Sequence, residues 1–112
     1  MSLANAEAMM LVIPAARAAI SKILAKGGMP QIEIAKMLGI TQAAISKYLS
    51  GDYSKRVKEL EKGISSEGIA ERIASQVISG ASVSDIAASL DLIARNKAIM
   101  RLALGISAKR GK

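Results

Sequence analysis

The side chains that usually carry catalysis are scarce in this sequence. It has 112 residues with no cysteine and no histidine. That removes disulfides, thiolate chemistry, most zinc sites and the usual general base near neutral pH. Nine Asp and Glu remain for a carboxylate-only hydrolytic site. They are scattered, and most stand beside Lys or Arg at helix-surface positions. No enzyme activity, no cofactor and no metal site is expected. Positive charge is abundant instead: sixteen Lys and Arg leave a formal charge of +7. A basic excess of this size suits a polyanion, either nucleic acid or an anionic membrane surface. It also aids solubility, so charge alone does not choose a partner.

The elements that must position these charges read as helices. Apolar residues make up 51% of the chain and aromatics 2%, with two prolines. The core must therefore be Ile, Leu, Ala, Val and Met, and most of these are good helix formers. An all-α, multi-helix bundle is expected. Ser2 to Met10 reads as a short helix or an arm. Pro14 is expected to open a first helix, since its missing N–H costs nothing in the first turn. Ala16, Ala19, Ile20, Ile23 and Leu24 stripe that helix, and Gly27-Gly28 ends it. Gln31 to Leu38 reads as a second helix broken by Gly39. Thr41 caps a third that stops at Ser50-Gly51. Further helices are expected at Arg56–Lys62, ended by Gly63, and after a cap at Ser65 or Ser66, ended by Gly80. A last helix runs from about Asp85 to Leu104, ended by Gly105, with a basic tail from Ala108 to Lys112.

The second and third helices satisfy a joint pattern. Two helices crossing steeply through a tight turn need a small residue at the crossing, a left-handed residue in the turn and apolar anchors on both sides. Ala35 supplies the first and Gly39 the second. Ile34, Leu38, Ile40, Ile45 and Tyr48 supply the anchors. Gln31 to Ser50 is therefore read as a helix-turn-helix. The alternative is an ordinary helical hairpin.

The stretches Ile13-Pro-Ala-Ala-Arg-Ala-Ala-Ile-Ser-Lys22 and Gln31-Ile-Glu-Ile-Ala-Lys-Met-Leu-Gly-Ile-Thr-Gln-Ala-Ala-Ile-Ser-Lys-Tyr-Leu-Ser-Gly51 carry a resemblance. They look like the helix-turn-helix of phage-repressor-type, Xre-like transcriptional regulators, closest to the archaeal branch. The resemblance covers Pro14 to Tyr53. It implies a third helix that reads the major groove of double-stranded DNA and a protein that represses or activates transcription, here expected as a repressor. Some archaeal members resembling this chain carry a ligand-binding domain after the helices; none is expected here.

Readers of this kind contact bases with the N-terminal part of the recognition helix. The outward positions are Thr41, Gln42, Ala43, Ala44, Ser46 and Lys47. Gln42 could pair with adenine, Ala43 or Ala44 could lie on a thymine methyl, and Lys47 could reach guanine or phosphate. Thr41 could act as a cap alone, and Gln42 could be a solvated amide. Gln31, Tyr53, Lys55 and Arg56 are candidate phosphate contacts, with Lys36 as another unless it pairs with Glu33. Tyr53 could instead pack beneath the turn.

The second half is strongly apolar. Ile69, Ile73 and Val77 stripe one helix. Ile86, Leu90, Ile93, Leu92, Ile99, Met100, Leu102 and Leu104 cover more than one face of the next. Such a helix is buried or paired with another chain. The division expected is residues 1–63 for DNA binding and 64–112 as a helical dimerisation region with a basic tail. A homodimer through residues 64–104 would place two half-sites about 34 Å apart. Val83 to Leu92 begins like a second helix-turn-helix, but Asp91 stands at the turn glycine and Lys97 at a buried anchor, so one continued helix is expected. No stretch approaches the roughly 20 apolar residues of a membrane span, and a cytoplasmic location is expected. The competing functions are a protein-interaction module (antitoxin-like or scaffold) that keeps the fold without reading DNA, non-specific DNA coating, and a membrane-surface helix. The polar face of the third helix argues against the first, and the scatter of basic residues against the last.

Overall fold

The computed structural model describes residues 3–109. Among them are seven helices and no strand: α1 (Leu3–Lys26), α2 (Gln31–Leu38), α3 (Gln42–Ser50), α4 (Lys55–Ser66), α5 (Ile69–Ile78), α6 (Val83–Ala94) and α7 (Lys97–Ala108). The all-helical expectation holds. Arg110 to Lys112, the end of the basic tail, lie outside the described residues.

α1 is the axis of the bundle and touches each of the other helices. Its sequence explains why. Ala8, Ala15, Ala16, Ala18 and Ala19 are buried, and such small side chains let neighbouring backbones approach closely. Val12, Ile20 and Leu24 are buried among them and fill the spaces between. The core then runs without interruption through Ile34, Leu38 and Ile45, then Leu60 and Ile64, then Ile73, Ile86, Ile99 and Ile106. Full burial of each Ile or Leu contributes about 1.5–3 kcal/mol. The boundary expected at Gly63 falls inside α4, and this one core lies on both sides of it.

α1 corrects two expectations. It begins at Leu3, and Pro14 sits inside it rather than at its start. The missing proline N–H leaves the Met10 carbonyl without its helical donor. Met10 is the most exposed large apolar residue among the described residues, so water can reach that side of the helix. Burial of Ala8 and Val12 offsets the lost hydrogen bond. Asn5–Lys26 is also long and apolar enough to cross a membrane by length and composition, which the expectation of no such stretch missed. Half of that stretch is buried as the centre of the core.

The other helix ends differ where packing overrides local signals. Gly63 does not end α4. A Cβ there would lie 2.7 Å from Leu102 Cδ1, so glycine lets α4 and α7 meet. Ser65 and Ser66 finish α4 and do not cap α5. Gly68, left-handed at φ 73°, makes the sharp turn into α5 without a loop. Gly105 lies within α7 and does not end it.

The continued helix expected from Asp85 to Leu104 is two helices. Arg95 and Asn96 break it, and the Asn96 side chain accepts from the Ile99 amide at 3.0 Å as the cap of α7. The break lets Ile86, Leu90 and Ile93 pack from one direction and Ile99, Ala103 and Ile106 from another, all in the same core. Most of the apolar surface that pointed to a partner chain is therefore used within the chain. At the start of α6, Ser82 and Asp85 form a reciprocal capping box. Asn96→Ala should lower stability by about 1 kcal/mol, the usual value of a cap, seen as a fall in the melting temperature. An unchanged melting temperature would mean that core packing alone sets the break.

Candidate nucleic-acid interface

α2 ends at Gly39, whose φ of 69° is left-handed, and its N–H reaches back to the carbonyls of Ala35 and Lys36. The Ile40 amide bonds the Ala35 carbonyl at 3.0 Å. These bonds close the turn. Thr41 then caps α3, its hydroxyl accepting from the Ala44 amide at 3.1 Å. Gly51, again left-handed, closes the far end. Ile34, Ala35, Leu38 and Ile45 are buried, and Ile40 and Tyr48 are half-buried. Each sequence-assigned anchor faces inward.

The opposite face of α3 is polar and open. Thr41, Gln42, Ala43, Ser46 and Lys47 are exposed and share this short helix, with Ala44 half-buried behind them. Ser50 is held to its own helix, its hydroxyl donating to the Lys47 carbonyl at 3.2 Å. Gln31 opens α2 after Pro30, with no side chain capping that end. Lys36 is exposed. The ion pairs among the described residues are Lys22–Glu61 and Lys109–Glu59, so Lys36 is not paired with Glu33.

The remaining phosphate candidates separate. Lys55 is exposed at the start of α4, just after the Ser54 cap. Arg56 is half-buried and lines a cleft with Glu7, Met10, Leu11 and Ser107, so it turns towards α1 and α7. Tyr53 packs inward: its hydroxyl donates to Glu61 and accepts from the Lys22 ammonium at 2.7 Å. Lys22 also reaches Glu61 Oε2 at 2.8 Å. The Tyr53 ring meets Tyr48 edge-on, 5.5 Å between centroids, and the ammonium groups of Lys22 and Lys58 each lie 5.3 Å from its centre.

This link was not read from the sequence. It ties the segment after α3 to α1 and α4 and so fixes where α3 stands. One signal for it existed: Glu61 interrupts the apolar stripe Val57, Leu60, Ile64, which marks a carboxylate facing the core and needing partners.

The network also sets an alkaline limit. Burial opposes charge on Lys22, but hydrogen bonds to Glu61 and Tyr53 and the Glu61 charge prevail, lifting its pKa above the ordinary 10.5. Burial, and then Glu61, raise Tyr53 above 10.0. Burial raises Tyr48 too, against the opposing charge of Arg17. In all three the folded chain keeps its proton to higher pH than the unfolded chain. Their stabilisation is complete below the unfolded values and is lost as pH rises through the folded ones. The melting temperature should therefore hold up to about pH 10 and fall as pH rises further, less steeply in Glu61→Gln. A flat profile would remove the network from the stability of the fold.

The family model described as Helix-turn-helix matches residues 20–62. The match starts within α1 and ends within α4, so it contains α2, α3 and the Tyr53 link. This segment, less than half of the chain, is similar to helix-turn-helix domains of the Xre and lambda-repressor-like class, a class of DNA-binding domains. No curated protein and no solved structure matches the chain.

Proposed function

From a helix-turn-helix domain in the first half of the chain, we propose a sequence-specific regulator of transcription, most simply a repressor, of the archaeal branch of its class. α3 enters the major groove of double-stranded DNA. The observation that carries this reading is the division of α3. Ile45 is held in the core while Thr41, Gln42, Ala43, Ser46 and Lys47 stand together on the open side. Gln42 presents an amide matched to adenine, Ala43 a methyl-sized apolar contact, and Lys47 a cation for guanine or phosphate. Gln31, Lys36 and Lys55 give phosphate contacts that orient the domain. The net charge of +7 favours capture of the polyanion. The place of action is the cytoplasm, where such a regulator meets DNA.

One module spans a short half-site, so two copies are proposed to act together through residues 64–104. Ile78 and Leu92 in that half are 70% and 65% exposed, more than a buried role needs, and they support the pairing. Light scattering at the mass of one chain would overturn it.

The direct test selects bound duplexes from a random pool and repeats the selection with Gln42→Ala. The variant should lose about 1–3 kcal/mol of discrimination at one base pair and keep preference elsewhere. Binding of the parent protein should weaken steeply with salt, since each neutralised phosphate releases counterions. Equal affinity for every duplex would sink the sequence-specific reading.

A further inference from the structure

Between the helix-turn-helix and the second half lies a cleft of about 360 Å³, within the usual range for small-molecule sites. α1 contributes Ile13 and Arg17, one turn apart. The end of α2 contributes Leu38. α6 contributes Val83, Ala87, Leu90 and Asp91 from one face. The turn glycine, Gly39, also lines it, and a Cβ built there would meet nothing within 4 Å.

Three features of this cleft bear on what it could hold. Arg17 Nε is buried without a hydrogen-bond partner. Buried polar groups almost always have one, so the Arg17 guanidinium that lines the cleft is not fully committed within the fold. Asp91 is exposed and takes part in neither of the ion pairs among the described residues. Val83 is 40% exposed, an apolar side chain on the rim. The cleft thus offers one cation, one anion and aliphatic walls. No aromatic ring lines it, so a nucleobase or other flat ring would find nothing to stack on.

We infer that this cleft between α1, the α2–α3 turn and α6 binds a small zwitterion with an aliphatic body, of the class of aliphatic α-amino acids. The carboxylate meets Arg17, the ammonium meets Asp91, and the side chain lies on Ile13, Leu38, Val83 and Leu90. A simple anion would leave Asp91 opposing it. A simple amine would leave the Arg17 nitrogen bare. Only a molecule carrying both charges on an apolar stem satisfies all three features. The occupant would touch the turn that sets α3 and also α6, so it is placed to join the two halves of the chain.

The site is argued independently of DNA binding and is tested without DNA. The full chain, isotopically labelled, is titrated by NMR with L-leucine, with 4-methylpentanoate, which lacks the ammonium, and with 3-methylbutylamine, which lacks the carboxylate. Saturable shifts of the Leu38, Gly39, Ala87 and Asp91 amides are expected with leucine, about tenfold tighter than with 3-methylbutylamine, which leaves the half-buried Arg17 unmatched, and about two- to fivefold tighter than with 4-methylpentanoate, which loses only the contact to the exposed Asp91. Arg17→Lys should weaken leucine about tenfold, and Asp91→Asn, at an exposed position, about two- to fivefold. Ala87→Leu keeps both charges and fills the cleft, so it should abolish binding. Circular dichroism checks each fold. If Arg17→Lys fails to fold, Asp91→Asn and Ala87→Leu decide. Absence of saturable shifts, equal binding of the carboxylate alone, or leucine binding undiminished by Ala87→Leu would each overturn the inference. Loss of duplex binding by the parent protein would leave this result untouched and count only against the DNA reading.

Discussion

Ile45→Ala should lower the free energy of unfolding by about 2–5 kcal/mol and abolish duplex binding. Ile45 is fully buried and is the one residue of α3 wholly within the core. Truncation removes the transfer energy of three carbons and leaves a cavity that close-packed neighbours fill only in part, which sets that range. A domain of this size has about 5–15 kcal/mol in all, so the loss is a large share of it. The effect on α3 is greater than the global figure suggests. A helix of nine residues does not hold its shape in water unaided. Thr41 and Gly51 cap it, but caps do not hold a helix against the bundle. Hydrogen exchange of the α3 amides should accelerate beyond that of α1 or α5. Urea unfolding with an unchanged slope measures the first quantity. A loss below about 1 kcal/mol would mean that α3 is anchored mainly through Tyr48 and the Tyr53 link.

Lys47→Glu should weaken duplex binding about a hundredfold or more while leaving the fold intact. Lys47 is exposed and in no ion pair among the described residues, so its reversal should change stability by less than about 0.5 kcal/mol. At a DNA surface the same change removes a contact worth about 1–3 kcal/mol and adds repulsion from the phosphates. The dependence of affinity on salt should fall by about one counterion. Gel-shift or fluorescence titration at two salt concentrations measures both. An unchanged affinity in a folded variant would remove the outward face of α3 from the interface. It would then favour a module that keeps this fold to bind another protein.

The two tests separate two parts of the same short helix. Ile45 reports whether the bundle holds α3, and Lys47 whether α3 is used. The Tyr53 network lies between them. By joining Lys22 of α1 to Glu61 of α4 it closes the chain around α3. A buried carboxylate with two hydrogen-bonded partners sets orientation more than it adds net stability, because desolvation offsets much of the attraction.

Local rules sufficed for the helix-turn-helix. The left-handed glycine at Gly39, the Thr41 cap and the spacing of Ile34, Ala35, Leu38 and Ile45 act over a few residues, and the sequence by itself determined them. It also determined the polar face of α3, because which side faces out follows once the anchors are known. Tertiary structure decided whatever depends on residues far apart in the chain. Pro14 stays inside α1 because packing against helices remote in sequence, α7 among them, buries Ala8 and Val12 ahead of it. Gly63 continues α4 because Leu60, Glu61 and Ile64 on either side of it are held in the core. Asn96 breaks the last apolar run because two directions of packing bury more of it than one. The apolar surplus read as a surface for a second chain is largely internal for the same reason. Periodicity shows that a side chain must be buried, and only the fold shows what buries it. Tyr53 and Glu61, and likewise Arg17 and Asp91, acquire their roles only when the bundle brings α1, α4 and α6 together.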